Sequence, residues 1–141
     1  MTAAQIQLVK RSWTLVACLP TEEVGQLFYG RLFELAPHLR PLFRVPQPEQ
    51  SRKLMAMIQY VIGRLDTLED ILDEVAQLAR RHVKYGVEEK HYEVVGVALL
   101  WTLEKELDKF WHNELKEAWV ACYTTLAGAM IGASYPSPVS A

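Results

Sequence analysis

Apolar residues recur every three or four positions along nearly the whole chain, and a single stretch, bearing Pro37, Pro41, Pro46 and Pro48, breaks the pattern. That spacing is the signature of helices with one buried face, and no alternating strand pattern competes with it. In the first segment Ile6, Val9, Trp13 and Val16 share a face between Thr2 and Pro20. Thr21 is expected to cap a second helix, with Glu22 and Glu23 in the first turn, where the helix dipole favours anions. Its inward residues are Val24, Leu27, Phe28, Leu32 and Leu35, and Ala36-Pro37 ends it, because a residue before proline avoids helical geometry.

The Pro-rich crossing leaves room for one short turn around His38 to Phe43. A helix resumes near Pro48, which suits a first helical turn, and carries Leu54, Met57, Ile58, Val61 and Leu65. Thr67 reads as the start of the next helix, with Glu69 and Asp70 as early acids, Ile71, Leu72, Val75, Leu78 and Ala79 facing inward, and Gly86 as its end. A long helix spans about Glu88 to Asp108, and the last about Asn113 to Ala133. The expected architecture is all-α, with about six or seven helices in one domain over residues 1–133 and a loose tail over 134–141.

The chain is 141 residues long and half hydrophobic, enough for one buried core and too short for two. With 15 basic and 17 acidic residues, and no basic tract, it lacks the electrostatic footprint of a nucleic-acid binder. The longest apolar run, Val94 to Trp101, is far short of a membrane span, and the amino terminus lacks the basic and apolar regions of a signal peptide. A cytoplasmic location is expected. Cys18 and Cys122 read as small buried hydrophobes rather than as a disulfide.

Enzymatic motifs are scarce. His38, His82, His91 and His112 form no pair at helical spacing, and there is no Cys-x-x-Cys, so zinc ligation is unsupported. There is neither a glycine-rich phosphate loop nor a Gly-x-Ser-x-Gly elbow. His82 differs from the other histidines because it continues the inward stripe of Val75, Leu78 and Ala79. By itself an inward histidine is most often a hydrogen-bonded core residue. Here Tyr29 and Gln50 also lie on or beside apolar helical faces, and Phe43 closes the Pro-rich crossing. A helical core with inward His, Tyr, Gln and aromatic residues can wrap a flat apolar cofactor.

Four stretches resemble the globins, more closely the bacterial single-domain haemoglobins and the haem domain of flavohaemoglobins. They are Leu27-Phe28-Tyr29-Gly30-Arg31-Leu32-Phe33, Arg40-Pro41-Leu42-Phe43, Gln50-Ser51-Arg52-Lys53-Leu54-Met55, and Leu78 to Val87 with His91-Tyr92-Glu93-Val94-Val95-Gly96. The resemblance covers roughly residues 5 to 133, in order. It implies a three-over-three helical sandwich around haem b (iron protoporphyrin IX). His82 would be the proximal iron ligand, its second nitrogen donating to a backbone carbonyl or similar partner. Tyr29, Gln50 and Leu54 would form the ligand side, open to oxygen, nitric oxide and carbon monoxide. Phe43, Leu78, Val87, Tyr92 and Val95 would line the cofactor, and Lys53, Arg44 and Arg81 are candidates for its propionates.

Two departures bear on activity. In flavohaemoglobins a tyrosine and a glutamate stand behind the proximal histidine. Tyr92 matches the tyrosine, whereas the place of the glutamate falls near Ser134, and no acid follows Glu117. A weaker electron push onto the iron is expected, so peroxidase-like activation is not. No flavin- or nicotinamide-binding half is expected, so turnover as a nitric oxide dioxygenase is expected to need an external reductase. Reversible gas binding is therefore the leading reading and nitric oxide dioxygenation the second. A haem-free helical module has no use for a polar distal pair.

Overall fold

The computed structural model describes residues 1–43, 46–84 and 88–134. Six α-helices run through them: α1 (Ala3–Ala17), α2 (Thr21–Leu35), α3 (Gln47–Ile62), α4 (Leu72–Lys84), α5 (His91–Leu107) and α6 (Asn113–Ser134). Short 3-10 segments occupy Pro37–Leu42, Leu65–Ile71 and Asp108–Phe110, and there is no strand among the described residues. Gly86, Arg44, Val87 and the tail from residue 135 onward lie outside the described residues.

Local chemistry accounts for the ends of several helices. Thr2 accepts from the Gln5 N–H at 3.1 Å while the Gln5 side chain accepts from the Thr2 N–H at 3.0 Å, a reciprocal cap on α1. Ala36, held before Pro37, leaves helical geometry at φ −143 and ψ 74, which stops α2. Thr21, by contrast, is the first residue of α2 and not its cap. Pro20 holds the cap position, with no side-chain hydrogen bond, and its fixed φ of −58 leads directly into the helix.

The segment after α3 departs further from expectation. Thr67 does not begin an α-helix; it sits at φ −132 and ψ 46, a kink within the 3-10 segment, and α4 begins only at Leu72. The reason is tertiary. Leu65 packs in the cluster built on α1, α3 and α6, whereas Ile71 packs in another built on α4 and α6, so the chain must turn between them. Leu72 and Leu35 are exposed rather than inward, at 48% and 42%, and Cys18 is exposed at the end of α1, while Cys122 is buried.

Three clusters form the core. One joins α1, α3, α5 and α6 through Val9, Trp13, Val16, Met55, Leu103 and Trp119. Here the Trp119 indole donates to Ser12 Oγ at 2.9 Å and the Trp13 indole to Gln59 Oε1 at 2.8 Å, the two rings meeting edge to face at 6.3 Å. The second cluster joins α2, the Pro37–Leu42 turn and α5, and the third joins α4, α5 and α6. Helix α5 contributes to all three and packs against α2, while α4 packs against α6.

Candidate functional site

The second cluster gathers four of the residues singled out from sequence: Tyr29, Phe43, Leu54 and Val95. Tyr29 and Phe28 from α2, Leu54 from α3, Val95 from α5 and Phe43 beyond the proline turn pack together, with Leu39, Val94 and Ala98. Tyr29 is almost wholly buried, at 3% exposure. Its ring lies 5.3 Å from that of Phe43 in edge-to-face contact and 4.9 Å from that of Phe28. Its hydroxyl stands 3.5 Å from the backbone carbonyl of Gln50 at the start of α3, near the long limit of a hydrogen bond. Burial pushes the phenol up to about 12, partly offset by the contact with Gln50, so it stays a neutral O–H donor.

Sequence reading missed Phe33, although it lies one turn beyond Tyr29. Its ring stacks on Tyr29 at 6.1 Å and meets Phe43 at 5.5 Å, while the Arg40 guanidinium covers its other side at 4.5 Å. The i, i+4 spacing of two aromatics was the available signal.

Leu78 and Tyr92 belong to the third cluster, together with Val75 and Ala79. His82 extends that face of α4 and is half-buried. Its Nδ1 lies 2.8 Å from the carbonyl oxygen of Leu78, one turn back. A carbonyl can only accept, so Nδ1 carries the ring proton, and in the neutral ring Nε2 is left as a lone pair.

The remaining histidines are engaged elsewhere. His91 Nδ1 accepts from the Glu88 N–H at 3.0 Å, and burial lowers its pKa; its ring lies 6.1 Å from that of His38. His112 Nδ1 accepts from the Leu115 N–H at 3.3 Å. Among the described residues no three His, Cys, Asp or Glu side chains are grouped to hold a metal ion.

Against Tyr92 stands Tyr123 of α6. Its hydroxyl donates to the Tyr92 backbone carbonyl at 2.5 Å, and Gly96 admits its ring, since a Cβ there would fall 2.7 Å from Tyr123 Cε2. Of the charged candidates, Lys53 is exposed and lies 3.8 Å from Glu49 one turn back, and Arg81 is exposed. Arg44 and Val87 fall outside the described residues. No helix among the described residues is long and apolar enough to cross a membrane.

Comparison with known proteins gives this arrangement a lineage. A profile of the globin family matches residues 26–130. The chain is 34% identical to an anaerobic nitrite reductase of Gossypium hirsutum, over 92% of this chain and 88% of that protein. It is 30% identical to neuroglobin-1 of Oncorhynchus mykiss, over 92% and 90%. A flavohemoprotein of Bordetella pertussis is 32% identical over 79% of this chain, which spans only 28% of that longer protein. Among solved structures, a bacterial globin from Campylobacter jejuni superimposes with a TM-score of 0.82 at 26% identity, covering 94% of this chain and 96% of that one. An engineered carbene transferase from Rhodothermus marinus shares the fold, with a TM-score of 0.83 at 23% identity over 95% and 93% of the two chains. With its helices, its packing and these relatives in agreement, the chain belongs to the globin family.

Proposed function

We propose that residues 1–133 hold haem b through His82 and reversibly bind oxygen, nitric oxide and carbon monoxide, with Tyr29 and Gln50 as donors on the ligand side. The observation that carries this reading is the 2.8 Å contact between His82 Nδ1 and the Leu78 carbonyl. It fixes the tautomer, turns the ring, and leaves Nε2 as the neutral nitrogen that a haem iron takes as its axial ligand. The rest of the site fits the group: Phe43, Leu54 and Val95 offer apolar packing for a macrocycle, and Lys53 and Arg81 are long, exposed cations suited to propionates. When bound, the haem would supply an iron able to take a diatomic gas.

What the chain adds is a donor in an apolar setting. The Tyr29 hydroxyl is held only by a 3.5 Å contact, so turning it toward a ligand gives up little. Its raised pKa keeps it protonated at neutral pH. A hydrogen bond to a partly charged acceptor contributes roughly 1.5–3 kcal/mol, a factor of roughly ten to a hundred in affinity. Tight oxygen binding with slow release is the consequence.

Absorption spectra of the purified protein after haem addition, ferric, ferrous and under carbon monoxide, test the reading. A Soret band with a five-coordinate ferrous form is expected. No Soret band would remove the proposal, and a six-coordinate low-spin ferrous spectrum would overturn the open ligand position.

A second reading uses the same donors for nitric oxide dioxygenation, in which nitric oxide, oxygen and one electron from an external reductase give nitrate. It calls on no residue beyond Tyr29 and Gln50, and the stretches that carry them resemble the haem domain of flavohaemoglobins. Steady nitric oxide consumption with an added reductase, well above the autoxidation rate, is its signature.

A further inference from the structure

The turn at Glu88 to His91, which leads into α5, is closed by a side chain as well as by backbone. The His91 N–H donates to the Glu88 carbonyl at 3.0 Å, and the Glu88 N–H donates back to His91 Nδ1 at 3.0 Å. One of these two reciprocal bonds therefore depends on the charge state of an imidazole. His91 is buried, at 6% exposure, and opens α5 directly before Tyr92. Tyr92 in turn packs in one cluster with Val75 and Leu78 of α4, the helix that carries His82.

Only a neutral ring can accept at Nδ1. Protonation places a hydrogen on both ring nitrogens, so that Nδ1–H faces the Glu88 N–H and the bond is lost. The charged and titratable groups that face the ring are Glu88 and Lys90 on the preceding turn and His38 on the Pro37–Leu42 segment. They do not compensate. The Glu88 carboxylate lies 3.6 Å from His91 Nε2, but it is 63% exposed and shared with Lys90 at 3.7 Å. An exposed pair of this kind stabilises weakly. The His38 ring, 6.1 Å away, repels a second positive imidazole. Burial above all, with Lys90 and His38 after it, holds His91 below its ordinary 6.5 against the pull of Glu88.

We propose that His91 is a positioning residue: its neutral ring closes the turn into α5, and mild acid opens that turn and loosens the hold on haem. The inference rests on the gas-binding reading above. Above pH 6.5 the ring is neutral whether the turn is closed or open, and the bond is complete. As pH falls below 6.5 the open turn takes up the proton more readily than the closed one, so opening becomes easier. Opening displaces Tyr92 and, through it, the packing on α4 that supports His82.

The test compares the wild type with His91→Asn, whose Oδ1 takes the place of Nδ1 as acceptor without titrating, and with His38→Gln. Two readouts run from pH 8 to pH 5. One is the exchange protection of the Glu88 amide by NMR, in the ferrous carbon monoxide form and in haem-free protein, beside the titration of the His91 ring. The other is the rate at which haem passes to an excess of haem-free myoglobin. Between pH 7 and pH 5.5 the wild-type protection factor is expected to fall about five- to tenfold, in step with the His91 ring, and haem loss to rise by a similar factor. His91→Asn is expected to hold its protection and to lose that rise. His38→Gln removes a repelling imidazole and is expected to move the midpoint to higher pH.

A Glu88 protection factor that ignores the titration of His91, or a haem-loss profile in His91→Asn that matches the wild type, overturns the proposal. Should His91→Asn fail to fold, the wild-type amide and ring titrations and His38→Gln decide instead; separate midpoints, or no upward shift, overturn it equally. If the wild type lacks a Soret band, the gas-binding reading fails first, and the Glu88 amide in haem-free protein still reports whether His91 closes the turn.

Discussion

The imidazole Nδ1 of His82 stands 2.8 Å from the carbonyl oxygen of Leu78, one turn earlier on α4. Because that carbonyl accepts the ring proton, the free nitrogen and its direction are set before any cofactor arrives. His82→Gly is therefore expected to take up haem at least tenfold more weakly, and added imidazole should restore the ferrous spectrum. Haem titration followed at the Soret band measures both. Wild-type affinity in the variant would show that iron is held elsewhere.

Tyr29→Phe removes the buried donor while keeping the ring that packs on Phe28, Phe33 and Phe43. Stability should change by no more than about 1 kcal/mol, since the lost hydrogen bond is long. Oxygen dissociation should accelerate by roughly ten- to a hundredfold. Stopped-flow mixing of the oxygenated protein with carbon monoxide gives the rate, and an unchanged value would remove Tyr29 from the ligand side.

The alkaline limit of stability follows from the same phenol. Burial holds Tyr29 at about 12 in the folded chain, against the ordinary phenol value of about 10. Above pH 10 the unfolded chain gives up this proton and the folded chain keeps it. Stability is thus complete below pH 10 and is lost as pH rises toward 12, by roughly 1 kcal/mol at pH 11 for this group alone. Tyr123, also raised by burial, acts in the same direction. Urea midpoints at pH 8 and pH 11 should differ in the wild type and differ less in Tyr29→Phe.

Trp119→Phe deletes the indole N–H that donates to Ser12 Oγ and opens space beside Trp13. A loss of roughly 2–3 kcal/mol is expected, the sum of one buried hydrogen bond and a partial cavity. Combining it with Ser12→Ala should cost less than the two changes added separately, because the pair shares one bond. Additive losses would mean that the contact contributes nothing of its own.

Features set by neighbouring residues were legible in the sequence. The end of α2 needs only Pro37, and the inward direction of His82 follows from its spacing to Val75 and Ala79. Thr67 misled because a threonine followed by acids looks alike before an α-helix and inside a kinked 3-10 turn. The choice was made by Leu65 and Ile71 entering different clusters. Leu35, Leu72 and Cys18 misled for a related reason: periodicity says which residues share a face, not how far a neighbouring helix extends to cover it.

The sequence by itself therefore determined the helices, the proline crossing between α2 and α3, and the set of inward polar residues, because these depend on interactions within one or two turns. The tertiary structure alone decided which of them meet. Ser12 and Trp119 are 107 positions apart, and Tyr29 of α2 reaches the Gln50 carbonyl on a different helix, α3. Helix crossings are fixed by the shapes of two surfaces at once, and no single helix carries that information in its own spacing.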